Sequence, residues 1–558
     1  MTARALAASL GLLFAFSGFV FAQLPATLPA IDANAVLQHA MTLSSDRFEG
    51  RAPGTKGEEL TVTYIADQFR KFGLKPGAPA DSYFQNVPLV GITPDPATAM
   101  TVTKDGAQAL RLAFKDDIVA WTKRSVPTVE LGNSEMVFVG YGVQAPEFSW
   151  DDYKGLDVRG KTLVMLVGDP PVADRANPAE LDPKMFGGKA MTYYGRWTYK
   201  FEIAQKLGAA AALIVHETGP AGYPFSVVQV KTGEQFDIAQ PDGNMTRPAI
   251  EGWIRLEQVR KLFALAGRDF DALKKQAATL EFKPVSLGLN ASMRLVNKIR
   301  TLASRNVIGR VEGSDPALKH EYVLYTAHWD HFGIGAPLNG DPVYHGALDN
   351  AVAVGGLLEL ARTFAALPTA PKRSILFLAV TSEEQLMLGS EYYATHPIYP
   401  LEKTLAEINL EMLNVHGKTR DLTVIGLGAS DLDDYARVAA AEQGRVLKPD
   451  PEPERGMYYR SDHFSLARQG VPAFEPDHGD DYIGKPAGYG LEVRKDFFAN
   501  LYHKPTDTVK PDWDLSGGAQ DLQLFGTIGY RVAQADTYPQ WKPGAEFKAK
   551  RDAAVRKK

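Results

Sequence analysis

Five groups that bind metals or move protons recur beside apolar runs in the second half of the chain. His328-Trp329-Asp330-His331 follows YVLYTA, and Asp349 stands in YHGALDNA, ahead of a helical stretch. Glu383-Glu384 follows SILFLAV, Glu411 lies inside EINLEML, and His503 stands in NLYHKPTDT. Two imidazoles and several carboxylates suit zinc, with cobalt or manganese as substitutes. Two divalent ions about 3.5–4 Å apart need a carboxylate between them. These ligands serve two ions if one Asp bridges. Neighbouring side chains in an extended or turning segment point different ways. One of Glu383 and Glu384 can therefore face a metal while the other faces the water to be activated. No His-Glu-x-x-His is present, which excludes a zinc site built on one helix.

The elements that must position these groups read as strand, loop, helix. YVLYTA (322–327), SILFLAV (374–380) and AEINLEML (406–413) are strands by composition, and 350–367 is a helix. Strands alternating with helices imply a doubly wound, mostly parallel α/β sheet with helices on both faces. Such sheets bind ligands at the carboxyl ends of their strands, which is where most of these groups fall. Upstream, Glu58–Phe72 has helical spacing with Gly73 as a stop. From about 128 the texture changes to short β-rich runs, EMVFVGYGV, KTLVMLVGD and AAALIVHE, with one helix near WTYKFEIAQKLG. This reads as a smaller β-rich α/β insert. The division is residues 1–22, 23–115, 116–287 (the insert), 288–540 and 541–558.

The chain has 558 residues, a net charge of −5, 23% charged residues and no cysteine. Disulfides, thiolate ligands and Cys nucleophiles are thereby excluded. The small net charge is unlike that of a nucleic-acid binder. The first residues, MTARALAASLGLLFAFSGFVFAQ, have a basic start, an apolar run and a small residue at Ala22. They read as a signal peptide cut after Ala22, so the mature chain is expected to be exported, periplasmic or secreted, with no membrane association. The basic end, KPGAEFKAKRDAAVRKK, reads as a frayed solvated tail.

Taken as an ordered set, these motifs resemble the co-catalytic di-zinc aminopeptidase family, which includes bacterial leucyl aminopeptidases, aminopeptidase Y and glutamate carboxypeptidase II. The insert, through FSWDDYKGLDVRGKTLVMLV and KLGAAAALIVHE, resembles a protease-associated (PA) domain. The resemblance implies that His328 and Glu411 hold one zinc, that Glu384 and His503 hold the other, and that Asp349 bridges them. It implies Glu383 as general base, Asp330 as the group orienting His328, and Tyr502 as a donor to the oxyanion. Glu383 would take the proton of the attacking water and pass it to the leaving amine. The implied substrates are peptides with a free N-terminus. One departure stands out: the family has Asp where this chain has Glu411, which adds a methylene, about 1.5 Å of reach.

Other readings share these residues. A di-zinc carboxypeptidase or dipeptidase would need a guanidinium pocket for the substrate carboxylate. A glutaminyl-cyclase-like acyltransferase keeps the fold with one zinc. A degenerate receptor-like ectodomain would have lost ligands, whereas all five positions here retain ligating side chains. His331, His345 and His463 fall outside the ligand set. Tyr458, Tyr459 and Arg460, in MYYRSDHF, are candidate substrate contacts. Gly155–Thr162 matches G-x-x-x-x-G-K-T, but a strand follows it where the phosphate loop requires a helix, so nucleotide binding is excluded. No G-x-S-x-G elbow is present. The oligomeric state is not legible.

Overall fold

Every residue of the strand Tyr322–His328 is buried, as a strand covered on both faces of a parallel sheet should be. The computed structural model describes residues 28–95, 98–229 and 233–556. The leader expected over residues 1–22 lies outside them. Side chains alternate along the strand. Val323, Tyr325 and Ala327 pack under helices Ala33–Leu43, Val352–Ala365 and Ser516–Gln534. Tyr322 and Leu324 pack on the other face, against Tyr393 of helix Leu388–Thr395 and Leu466 of helix His463–Ala467.

Strands Ser374–Val380 and Thr404–Asn409 flank Tyr322–His328, both parallel to it. Ala473–Asp477 extends the parallel set. Asp421–Ile425 then runs antiparallel, and the end of Val285–Val311 closes the other side antiparallel to Ser374–Val380. The result is an α/β sheet, mainly parallel at its centre, with helices on both faces.

The 27-residue strand Val285–Val311 spans two layers. Its second half pairs with Phe84–Pro94 in the central sheet. Its first half pairs with Ala99–Lys104 and Thr128–Phe138 in a second sheet, which has its own core of Val164, Leu213, Ile254 and Phe263. The hairpin Ala99–Lys104/Ala107–Ala113 belongs to this second sheet, upstream of the boundary at 116 read from the sequence.

Two local readings are corrected. The strand expected over 406–413 ends at Asn409, because Leu410 still donates to Thr326 O but Met412 turns to φ 42°. Glu411 thus stands beyond a strand end. The basic tail is not solvated throughout. Residues Lys548–Val555 form a helix whose Arg551 is buried and donates to Leu401 O and Thr404 O, at 2.9 and 3.0 Å. Long basic side chains reach such carbonyls through their apolar stems. Among the described residues no helix is long and apolar enough to cross a membrane.

Candidate metal centre and active site

The four parallel strands end at one edge, and the loops leaving them converge there. His328 is the last residue of its strand. Its Nε2 lies 3.3 Å from Asp349 Oδ1 and 3.3 Å from Glu411 Oε1. His503 Nε2 lies 3.4 Å from Asp349 Oδ2 and 3.1 Å from Glu384 Oε2. Asp349 therefore stands between two groups, one oxygen toward each.

The loops hold these groups at conformational cost. Ser382, Leu386 and Met387 around the Glu pair all have positive φ, as do Met412 beside Glu411 and His503 itself. Such backbone is disfavoured for residues with a side chain and clusters at functional sites. The Glu383–Glu384 loop turns back on its strand: Gly389 donates to Thr381 O at 2.9 Å, and a Cβ at Gly389 would meet that oxygen at 2.2 Å. The Asp349 loop is clamped by Asp507, whose carboxylate accepts from Leu348 N at 2.9 Å and Asp349 N at 3.0 Å. Asn350 ties it to the Glu411 loop, donating to Leu410 O and accepting from Met412 N.

Burial sets the charges. It pushes Glu383 well above the carboxylate range; His328 offsets this in part, and Glu384 and Glu411 add to it. Burial likewise raises Glu411 to about 7 and Asp330 to about 8. Burial and the Asp349 charge also press on Glu384, but His503 and His331 outweigh them and hold it at about 2. Burial acts on Asp349 too, yet His328 and His503 keep it well below the usual range. Burial disfavours the imidazolium of His503, but Glu384 and Asp349 raise it to about 9.

Two donor trios have ligand atoms all within 4.8 Å of one another: His328, Asp349 and Glu411, and His331, Asp349 and Glu384. Nitrogen and carboxylate oxygen in this proportion fit a zinc-type cation. Concentrated buried negative charge also requires cationic partners. His331 was outside the expected ligand set, yet its Nδ1 lies 2.6 Å from Glu384 Oε1 and its Nε2 is buried without a hydrogen bond. Its place three residues after His328 was the available signal.

The remaining expected residues divide. Asp330 reaches His328 through its carbonyl, 3.2 Å from Nδ1, while its carboxylate lies 3.8 Å away and accepts from Glu383 N at 3.0 Å. It thus fixes the backbone of Glu383 more directly than it orients the imidazole. Tyr502 stacks on His503, ring centroids 3.6 Å apart. Glu383, Tyr502 and Arg460 line one cavity with Asp349, Glu411 and His503. Tyr458 and Tyr459 stand apart from Arg460. They line a neighbouring cavity with Trp541 and Phe547, and Tyr459 donates to Glu546. His345 is held by Ser44 O and Asp341, and His463 by Glu475.

Arg51 had no sequence signal. It is buried behind the centre and donates to the carbonyls of Leu43, Trp329, His345 and Gly346. Burial lowers it to about 10, opposed by Asp507, Asp330, Asp349 and Glu384, so it stays charged at neutral pH.

Residues 306–525, which carry all of these loops except the one bearing Arg51, match the model of peptidase family M28. The overall fold recurs in the aminopeptidase from Aneurinibacillus sp. strain AM-1, 18% identical, covering 90% of this chain and 94% of that one with a TM-score of 0.50. A putative endoplasmic reticulum metallopeptidase 1 of Schizosaccharomyces pombe is 34% identical over 114 residues, 20% of this chain and 12% of its own length. A vacuolar membrane protease of Tuber melanosporum is 26% identical over 149 residues, 26% of this chain and 14% of its own length. The matched stretches thus span a small part of those curated relatives.

Proposed function

We propose that this chain is an exported, zinc-dependent aminopeptidase, a metallo-exopeptidase that removes residues from free peptide N-termini. The observation that carries the reading is Asp349, with one oxygen toward His328 and the other toward His503. His328, Glu411 and Asp349 would hold one ion. Glu384, His503 and Asp349, with His331 at hand, would hold a second. When bound, such ions supply Lewis acidity that polarises a carbonyl and makes water acidic near neutral pH. Cobalt or manganese can substitute in this donor set.

The protein's own groups do the rest. The Glu383 carboxylate accepts the proton of the attacking water and returns it to the leaving amine nitrogen. Burial raises its proton affinity, which suits a group that must hold a proton between the two steps. Burial also raises Tyr502, with Arg460 opposing, so its hydroxyl stays protonated and can donate to the oxygen that gains charge. Excess carboxylate around the centre attracts the substrate's α-ammonium. Export rests on residues 1–22 and places the activity in the periplasm or outside the cell.

Digestion of one peptide in free and N-acetylated forms, read by mass spectrometry with and without a zinc chelator, tests this. Chelator-sensitive loss of single N-terminal residues from the free form alone is expected. Cleavage from the carboxyl end, or of both forms equally, would overturn the aminopeptidase polarity.

A further inference from the structure

Three arginines line the cavity that holds Glu383, and two of them are neutralised. Arg455 pairs with Glu452 at 3.0 Å and Arg494 with Asp477 at 2.7 Å. Arg460 has no carboxylate partner among the described residues; its Nη1 reaches Met457 Sδ at 3.6 Å. A second guanidinium approaches the same turn. Arg196 comes from the second-sheet region, just ahead of helix Trp197–Lys206. Its Cδ lies 3.4 Å from the point a Cβ of Gly456 would occupy, and that Cβ would meet Met191 Sδ at 2.6 Å. Gly456 has φ 61° and opens the turn Met457–Tyr459 that leads to Arg460, so the missing side chain is what admits Met191, with Arg196 packed beside it. Arg196 Nε is buried without a hydrogen-bond partner, and no carboxylate pairs with this side chain among the described residues.

Burial lowers Arg196 to about 10, and the Arg460 charge adds to the fall, so Arg196 remains cationic at neutral pH. Two neighbouring cations withdrawn from water without a counter-charge are costly. Arg468 and Arg445, by contrast, pair with acids, Glu202 at 3.0 Å and Asp521 at 2.7 Å, and Arg51 and Arg551 are satisfied by backbone carbonyls. A planar guanidinium matches a carboxylate through two parallel hydrogen bonds.

We infer that Arg460, backed by Arg196, binds the free α-carboxylate of the residue on the leaving side of the scissile bond, so that the preferred substrates are dipeptides. This deepens the peptidase reading and rests on it. The centre's carboxylates would receive the α-ammonium and the arginine pair the α-carboxylate, the two charged ends of a dipeptide. Arg460 binds and selects; it takes no proton.

The test uses the full zinc-loaded protein and a set of dipeptides, each as the free acid and as the C-terminal amide. The free acids are expected to have kcat/KM at least ~10-fold above their amides, the scale of one charge-assisted hydrogen bond. Arg460→Gln should bring that ratio close to one, and Arg460→Lys should restore part of it. Arg196→Gln, kept only if its melting temperature matches the parent, should reduce the ratio less. A parent ratio near one overturns the proposal, as does an Arg460→Gln enzyme that loses acids and amides in equal proportion. Affinities of the acid and amide forms are measured in parallel by calorimetry on Glu383→Gln, which reads carboxylate preference without turnover. Equal affinities there overturn the proposal. Absence of all cleavage by the parent, with a preserved affinity difference, instead counts against the peptidase reading.

Discussion

Ser461 Oγ donates to Glu411 Oε2 at 2.8 Å, which leaves Oε1 facing His328 Nε2 at 3.3 Å. Ser461 in turn accepts from Asn409 Nδ2 at 2.7 Å. The longer Glu, standing where the resembled family has Asp, is thus held by its outer oxygen so that the inner one points at the centre. Partners of this kind are worth 10–100-fold in metal affinity. Ser461→Ala should weaken zinc binding by ~10-fold in competition with a fluorescent chelator. In a Glu411→Asp background, where the shorter side chain no longer reaches Ser461, the same change should cost little. An equal loss in both backgrounds would refute the positioning role.

Glu383 lines the cavity beside Asp349 and Glu411 but belongs to neither donor trio. Glu383→Gln should therefore keep the parent's metal content, measured by elemental analysis, while kcat falls at least ~100-fold, the usual scale for a general base. Loss of metal from this variant would move Glu383 into the ligand set.

Arg51 satisfies four backbone carbonyls with one buried side chain. Removing it strands those acceptors and withdraws positive charge from behind four buried carboxylates, Asp507, Asp330, Asp349 and Glu384. Arg51→Met should cost on the order of 3 kcal/mol in denaturant unfolding, the range for breaking a buried charge network. Lys would recover only part, since an ammonium lacks the guanidinium's fixed fork. A cost under ~1 kcal/mol would show that the loops hold without it.

The metal-free protein should lose stability as pH rises. The folded His503 is raised from 6.5 to about 9, so its contribution is complete below 6.5 and lost on passing 9. Glu411, raised from 4.5 to about 7, must ionise unfavourably over the lower part of that range. Both effects have the same sign. The melting temperature of the metal-free protein should fall between pH 6 and pH 9, and zinc should flatten the profile. Because a ligating imidazole must be neutral, zinc binding at pH 7.5 should release about one proton or more per chain. Calorimetry in two buffers of different ionisation enthalpy measures that release, and a value of zero would contradict the assignment of His503.

The sheet was readable because its strands are short, continuously apolar runs, buried at every residue, between helical stretches, as at Tyr322–His328 and Ser374–Val380. Chain order alone set His328, Asp349, Glu383, Glu384, Glu411 and His503 at or near strand and helix ends. The convergence of strand ends at one edge then follows from how parallel sheets are wound. Arg51, Asp507 and Arg196 were not legible. Each acts through backbone carbonyls, amide groups or a neighbouring turn that lies far away in sequence, and such contacts leave no spacing to read. The same holds for His331, whose nearness to Glu384 depends on two loops meeting, and for Tyr458 and Tyr459, which share a motif with Arg460 but turn to another cavity. The sequence by itself determined the kinds of donor and the fold that gathers them. Only the tertiary structure decided which oxygen faces which imidazole and which arginine lacks a partner. Those are differences of a few ångströms among groups separated by tens to hundreds of residues.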